Sequence, residues 1–215
     1  IFGLILLFFF SKKLKINLNL NIKYLFLIFS TLFLCLIISK TNEDFPYYHL
    51  PNSLQFAEQK LQFGLGNLNH GFKHISSIFM LMSLNYLPYF EYYLFNLTNF
   101  IFLIFLIYFI IFEIYKKDKN NSNISRIFLC LILILFLAKF SRLAEYGSDI
   151  AAQIIISVYF YFILEILLNK NIKIETSERY LQLSVILIVF ASTLKFIFDI
   201  YSIFLIMIFF KLKKN

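Results

Sequence analysis

The apolar residues of this sequence lack alternation. They come in long blocks, with neither the stripe of an amphipathic helix nor the period of two of a half-buried strand. That excludes an ordinary soluble domain. A membrane β-barrel would show roughly ten-residue alternating strands, and Ile101–Phe112 has none. A secretory signal peptide would leave a single apolar run, and here there are several. Cysteine is scarce: Cys35 and Cys130 lie mid-run in separate apolar blocks, in no zinc or redox spacing, and read as soft packing residues. No internal repeat and no soluble second domain is visible. Glycine and proline are missing from the middles of Tyr92–Phe112 and Ile127–Ala138.

What is present is apolar mass. Of 215 residues 60% are hydrophobic and 20% aromatic. A bilayer-spanning helix needs about 20 mostly apolar residues. The expected fold is therefore all-α: a polytopic transmembrane helix bundle, one membrane domain over 1–215, with the lipid bilayer as its partner. The chain begins at Ile1, already inside an apolar run, and is read as a fragment that lost its start. Its Lys, Asn, Ile and Phe richness fits an AT-rich genome, so the net charge of +8 is not read as nucleic-acid binding. The apolar blocks are Ile1–Phe10, Ile22–Ile38, Ile75–Leu87, Tyr92–Phe112, Ile127–Ala138, Ile150–Leu168, Leu181–Ala191 and Phe196–Phe210. With snorkelling Lys or Arg at their ends, the spans fall near 1–10, 22–38, 92–112, 127–141, 150–168, 180–192 and 196–210.

Basic residues orient the bundle. Lys12, Lys13, Lys15 and Lys23, then Lys116, Lys117, Lys119 and Arg126, then Lys170, Lys173 and Arg179, then Lys211, Lys213 and Lys214 make 14 of the 20 Lys and Arg. Those links are expected to be cytoplasmic. The links with Lys40, Lys60, Lys73, Lys139, Arg142 and Lys195 are expected outside. Lys40 to Lys116 must then cross an odd number of times. Block Ile75–Leu87 is short, carries Ser76, Ser77, Ser83 and Asn85, and ends at Pro88, so it is placed at the outer interface or as a partial insertion, not as a full span. The 40–90 loop becomes a large extracytoplasmic loop with interfacial helices. One of these is expected over Leu54–Phe63, capped by Asn52 or Ser53 and ended by Gly64.

Four groups on the outer side carry candidate chemistry. Glu43 and Asp44 are adjacent carboxylates just past a membrane helix; they suit a divalent cation, Mg or Mn, or a general base, or are a solvated acidic loop. His49, His70, Lys73 and His74 can meet a phosphate, while Tyr47 and Tyr48 suit the headgroup level. Lys139, Arg142, Glu145 and Asp149 step by three, three and four, so on one helix they share a stripe, broken if Gly147 ends it. That stripe is either a self-neutralising network or a functional set at membrane depth. Lys195 and Asp199 are one turn apart, a local ion pair unless Lys195 faces a phosphorylated headgroup.

Glu43-Asp44 after a spanning helix, then Tyr48-His49-Leu50-Pro51 and two interfacial helices, resembles the first outer loop of the C-type (GT-C) polytopic membrane glycosyltransferases. The resemblance covers roughly Ile22–Leu168, with an additional apolar segment before the first helix and without the family's later helices. It implies sugar transfer from a polyprenyl-phosphate carrier on the outer face of a bacterial cytoplasmic membrane. It also implies that Asp44, with Glu43 beside it, serves in catalysis or metal binding, and that Glu145 and Asp149 match a second acidic loop. Lys73, Arg142 and Lys195 would neutralise the leaving phosphate. Two other readings stand beside it: a transporter or flippase for a polar or lipid-linked solute, and a non-enzymatic membrane subunit whose ion pairs lock helices together.

Overall fold

The computed structural model describes residues 22–33, 43–60, 62–74, 76–115, 123–139, 147–169 and 172–214. Among the described residues the chain is all-helical, with no strand. In chain order the helices are α1 (Ile22–Leu32), α2 (Leu50–Glu58), α3 (Leu65–Leu68), α4 (Ser77–Ser83), α5 (Leu97–Tyr115), α6 (Asn123–Ala138), α7 (Ser148–Leu168), α8 (Ile174–Leu194) and α9 (Ile203–Lys214). A π-helical turn, Phe45–His49, leads into α2, and a 3-10 segment, Phe196–Ser202, links α8 to α9.

Helix α7 is the axis. Its apolar residues run right round it, so it has no solvated face and every side needs cover. It packs against α5, α6, α8 and α9. One core layer joins α1, α5, α6 and α7 through Phe100, Leu103, Ile110, Leu129 and Phe136. A second joins α7, α8 and α9 through Tyr159, Ile163, Ile188, Ala191 and Ile208. Two stretches, Tyr92–Ile114 and Ser148–Leu168, are long and apolar enough to cross a membrane. Helix α6 is apolar but only 16 residues long. Helix α8 is 21 residues long, but Glu175, Glu178 and Arg179 fill its first two turns. The expected spans near 1–10, and the end of the one near 22–38, lie outside the described residues. The block Phe196–Phe210 is not one helix: it divides at Ser202 into a tight 3-10 segment and α9.

A third core layer sits at one end of the bundle and carries the loop between α1 and α5. Ile78, Phe79 and Met82 of α4 pack with Phe45, Phe95, Ala151, Ala152 and Leu194. Ser76 caps α4, accepting from the Ile78 N–H, and donates to the Leu194 carbonyl at 2.5 Å. Ser77 Oγ donates to Thr193 Oγ1 at 3.0 Å. Together they pin α4 to the C-terminal end of α8. At seven residues, α4 is far too short to span a bilayer.

The expected helix Leu54–Phe63 is displaced. Helix α2 starts four residues earlier and ends at Glu58, where Gln59 turns extended. Pro46 and Pro51 each lie in a first turn, where proline's missing N–H has no partner to lose. Asn52 and Ser53 are buried inside α2 rather than capping it. Asn52 Nδ2 donates to the carbonyls of Tyr48 (2.7 Å) and Gly71 (3.1 Å), and Ser53 Oγ contacts Met82 Sδ at 3.7 Å. Gly64 does take the left-handed conformation, at φ 84°, but it opens α3 instead of closing α2. Cys130 is an exposed, free thiol on α6, not a packing residue; Cys35 lies outside the described residues.

Candidate functional site

The end layer encloses a cavity of about 550 Å³. Segments far apart in the sequence build its wall, among them Ser76 and Phe79 at α4. The π-helical turn brings Asp44, Tyr48 and His49; the 3-10 turn His70–Lys73 and its cap bring Lys73 and His74. The start of α7 contributes Gly147, Ser148, Asp149 and Gln153, and the end of α8 contributes Leu194 and Lys195. Lys139, just past α6, completes it.

Local rules place these groups. Gly147 is extended and precedes α7, which puts Asp149 in the first turn, where a carboxylate is favoured by the helix dipole. Gly71 allows the loop to lie flat on the π-helical turn: a Cβ there would stand 2.8 Å from Tyr48 Cβ and 3.0 Å from the Tyr47 carbonyl oxygen. Asn69 accepts from the Gly71 N–H at 2.8 Å and fixes that turn. The His74 ring stacks on Tyr48 at 4.7 Å, and Tyr48 meets His49 edge-on at 4.3 Å.

Of the residues singled out from sequence, Asp44, His49, Lys73, His74, Asp149 and Lys195 line this one cavity. Glu43 is exposed and outside the lining, and His70 stands behind His74, 5.8 Å away between ring centroids. Arg142 and Glu145 lie outside the described residues. Two expectations change. Lys195 does not pair with Asp199. Its backbone is extended at the end of α8 (φ −152°, ψ 112°), so helical i, i+4 geometry is lost there. Its Nζ instead reaches Asp149 Oδ1 at 2.5 Å, and Asp199 accepts from Ser192 Oγ at 3.3 Å. Nor do Lys139 and Asp149 share one helical stripe: α6 ends at Ala138 and α7 begins at Ser148.

Charge and burial compete inside the cavity. The Tyr48 phenol is pushed above 10.0, first by burial and then by the charges of Asp44 and Asp149. The His49 imidazole is pushed below 6.5 because burial outweighs the pull of the same two carboxylates, and His74 adds to the lowering. No three His, Cys, Asp or Glu side chains come together as a metal-holding group among the described residues. Of the adjacent carboxylates Glu43 and Asp44, only Asp44 lines the cavity.

A groove of about 830 Å³ adjoins the cavity, sharing His74, Ser76, Phe79 and Phe196 with it. Phe56, Phe72 and Met80 make its wall mostly apolar. Gln55 also lines it, and its Nε2 is buried without a partner.

Sequence reading missed a second polar centre, at the far end of α7. Glu165 is fully buried and accepts from Asn169 Nδ2 at 3.1 Å. Buried Glu113 of α5 accepts from the Tyr161 hydroxyl at 2.7 Å. Lys211 of α9 donates to the carbonyls of Ile166 and Leu167, both at 2.7 Å, closing the α7 C-terminus. The signal was available: an acid within or directly after an apolar block is costly unless partnered.

No curated protein and no solved structure matches the chain. A family model described as a domain of unknown function (DUF8201) matches residues 1–215, and the chain belongs to that family.

Proposed function

We propose that the chain is a glycosyltransferase-like membrane protein of the GT-C type, a multi-pass helix bundle of a bacterial cytoplasmic membrane that transfers a sugar from a polyprenyl-phosphate donor on the outer face. The observation that carries this reading is the joining of two unlike spaces. A cavity lined by Lys73, Lys139, Lys195 and two carboxylates opens beside an apolar groove. A phosphorylated lipid carries both characters in one molecule: an anionic head, suited to the lysines, and an apolar tail, suited to Phe56, Phe72 and Met80. As the bond from sugar to phosphate breaks, negative charge grows on the leaving phosphate, and ammonium groups already in place stabilise it. Asp44 lines the same cavity, where an acceptor hydroxyl would enter. No step is routed through a metal ion.

Asp44→Asn in the full-length gene, assayed for surface glycan, tests the reading. Unchanged product with normal protein level would remove Asp44 from the site. Orientation has a separate test. A cysteine introduced at Tyr47, which is well exposed beside Asp44, is expected to react with an impermeant thiol reagent in intact cells. Labelling only after membrane rupture would overturn the outward placement.

A second reading, a transporter or flippase, is favoured by one observation: Glu113 and Glu165 are buried in the two span-length helices, where ionisable groups commonly mark a conduction path. Substrate uptake into vesicles separates the two readings.

A further inference from the structure

Most groups in the outer cavity have an evident partner or stand in solvent, and His49 has neither. It is 4% exposed. Its ring is held by aromatic contacts, edge-on to Tyr48 and 5.7 Å from Phe79. Its Nδ1 is sealed and makes no hydrogen bond. Nε2 is not among the sealed atoms, and the residue lines the cavity, so the Nε2 edge is the one a ligand meets. A buried histidine that serves only packing is ordinarily tied by a hydrogen bond, because an unpaired buried nitrogen is costly. Here the cost persists beside a cavity. An apolar side chain would fill the same volume without it.

We propose that His49 is the proton acceptor of this site, with Nε2 taking the proton of the hydroxyl group that attacks the phosphate-linked sugar. The inference rests on the transfer reading above and moves one step of it from Asp44 to His49. Carboxylates are intrinsically weaker bases than imidazole, and proton transfer is best served by a base matched to the working pH. Asp149 is already engaged by Lys195. Burial favours the neutral ring, and with its one proton on the sealed Nδ1 the lone pair on Nε2 is the one left to accept with. Once the proton has moved, the charges of Asp44 and Asp149 favour the imidazolium, while His74 and the ammonium groups of Lys73, Lys139 and Lys195 oppose it. A phosphate gathered by those lysines would offset that opposition, so the base is best supported when donor is bound.

The step balances. The acceptor O–H bond breaks and its proton goes to Nε2. The acceptor oxygen forms a bond to the anomeric carbon. The bond from that carbon to the phosphate oxygen breaks, and its electron pair leaves with the polyprenyl phosphate. The imidazolium returns its proton to water.

The chain has three histidines, which makes the test tractable. The full chain in phospholipid nanodiscs, labelled with 15N-histidine, is examined by NMR from acid to neutral pH. Signals are assigned with His49→Gln, His70→Gln and His74→Gln. In parallel, a polyprenyl-phosphate-linked radiolabelled hexose is offered with a sugar-alcohol acceptor. The expected spectrum has His49 neutral near pH 7 with Nε2 unprotonated, titrating below 6.5. His49→Gln is expected to lower kcat by about 100-fold or more, with KM little changed and the acid limb of the pH profile gone. His49→Asn serves as the second variant should the glutamine form fail to accumulate. A charged ring or a protonated Nε2 near pH 7 overturns the inference, as does a His49 variant that keeps the wild-type acid limb. If the wild-type chain transfers sugar from no polyprenyl-phosphate donor, the transfer reading fails, and the spectrum still decides whether His49 stands as an acceptor.

Discussion

Phe79→Ala tests whether the α2 and α4 side of the cavity is held by the end layer independently of the long helices α5 and α7. Phe79 is 2% exposed. It packs among Phe45, Ile78, Met82, Phe95, Ala151, Ala152 and Leu194, and its ring stands 6.4 Å from Tyr48 at 89° and 5.7 Å from His49. Truncating a buried phenylalanine costs about 3–5 kcal/mol, transfer and cavity terms together. That energy is local. Helix α4 is short and α2 packs directly on it, so both are expected to open as a unit without unfolding α5 or α7. At 1.36 kcal/mol per power of ten, the cost corresponds to roughly a hundredfold to several thousandfold faster exchange of the protected amides in α2 and α4. Hydrogen exchange read by mass spectrometry on the protein in nanodiscs reports this peptide by peptide. Peptides from Leu97–Tyr115 and Ser148–Leu168 are expected to stay within error of wild type. Phe79→Leu keeps much of the apolar area and should cost far less, on the order of 1–1.5 kcal/mol. Uniform acceleration over all helices, or none in α2 and α4, would refute the reasoning: the loop would then be either inseparable from the bundle or not held by Phe79.

Three further outcomes are expected. The Lys195–Asp149 pair has side chains 41% and 55% exposed, so a double-mutant cycle with Lys195→Met and Asp149→Asn, read by thermal unfolding in detergent, should give a coupling of only about 0.2–1 kcal/mol; a coupling above about 2 kcal/mol would make it a structural clamp. His49 titrates below 6.5 in the folded chain, so the unfolded chain binds more protons between the folded value and 6.5. Stability should therefore be complete above 6.5 and fall as pH drops through that window, and His49→Gln should remove this component of the slope of Tm against pH; an unchanged slope would contradict the burial argument. Tyr161→Phe takes from buried Glu113 a hydrogen-bond donor 2.7 Å away, which should cost about 1.5–3 kcal/mol in thermal stability and leave His49 ring-nitrogen shifts unmoved.

The helix axes were legible because length and composition are robust signals. Ser148–Leu168 is apolar on every side, and a helix with no polar face has to be the covered one. The loop was less legible, because two signals in it have double meanings. Proline at 46 and 51 marks either a break or a first turn, and nothing local decides between them; the register of Phe45 and Met82 against α7 does. The partner of Lys195 was hidden for a similar reason. Spacing pointed to Asp199, but spacing holds only while the backbone stays helical, and α8 ends at Leu194. Asp149, 46 residues earlier, arrives because α7 and α8 are antiparallel neighbours, a fact carried by packing and not by local pattern. Glu113 and Glu165 were hidden for the opposite reason: a single acid within or just after an apolar block has no spacing pattern to mark its partner.

The two polar centres bear on mechanism through their separation. Asp149 lies in the first turn of α7 and Glu165 in its last, 16 residues apart; at 1.5 Å per residue that is about 24 Å. No single substrate group reaches both, and direct electrostatic influence across that distance is weak. The centre at the start of α7 is open, lysine-rich and close to an apolar groove. The one at its end is closed, carboxylate-bearing and tied to helix termini, with Lys211 holding the free carbonyls where α7 ends. An open centre with an unpaired histidine is built to exchange ligands, whereas a closed one whose acids are matched by Tyr161 and Asn169 is built to hold helices in register. If a proton path joined the two, α7 would have to carry polar side chains between them. Gln153, Ser157, Tyr159 and Tyr161 are its polar residues over that stretch. The Ser157 hydroxyl turns back to the Gln153 carbonyl and the Tyr159 hydroxyl to the Tyr201 carbonyl, so those two are spent on backbone. Along α7, then, these two hydroxyls do not link the centre at its first turn to the one at its last.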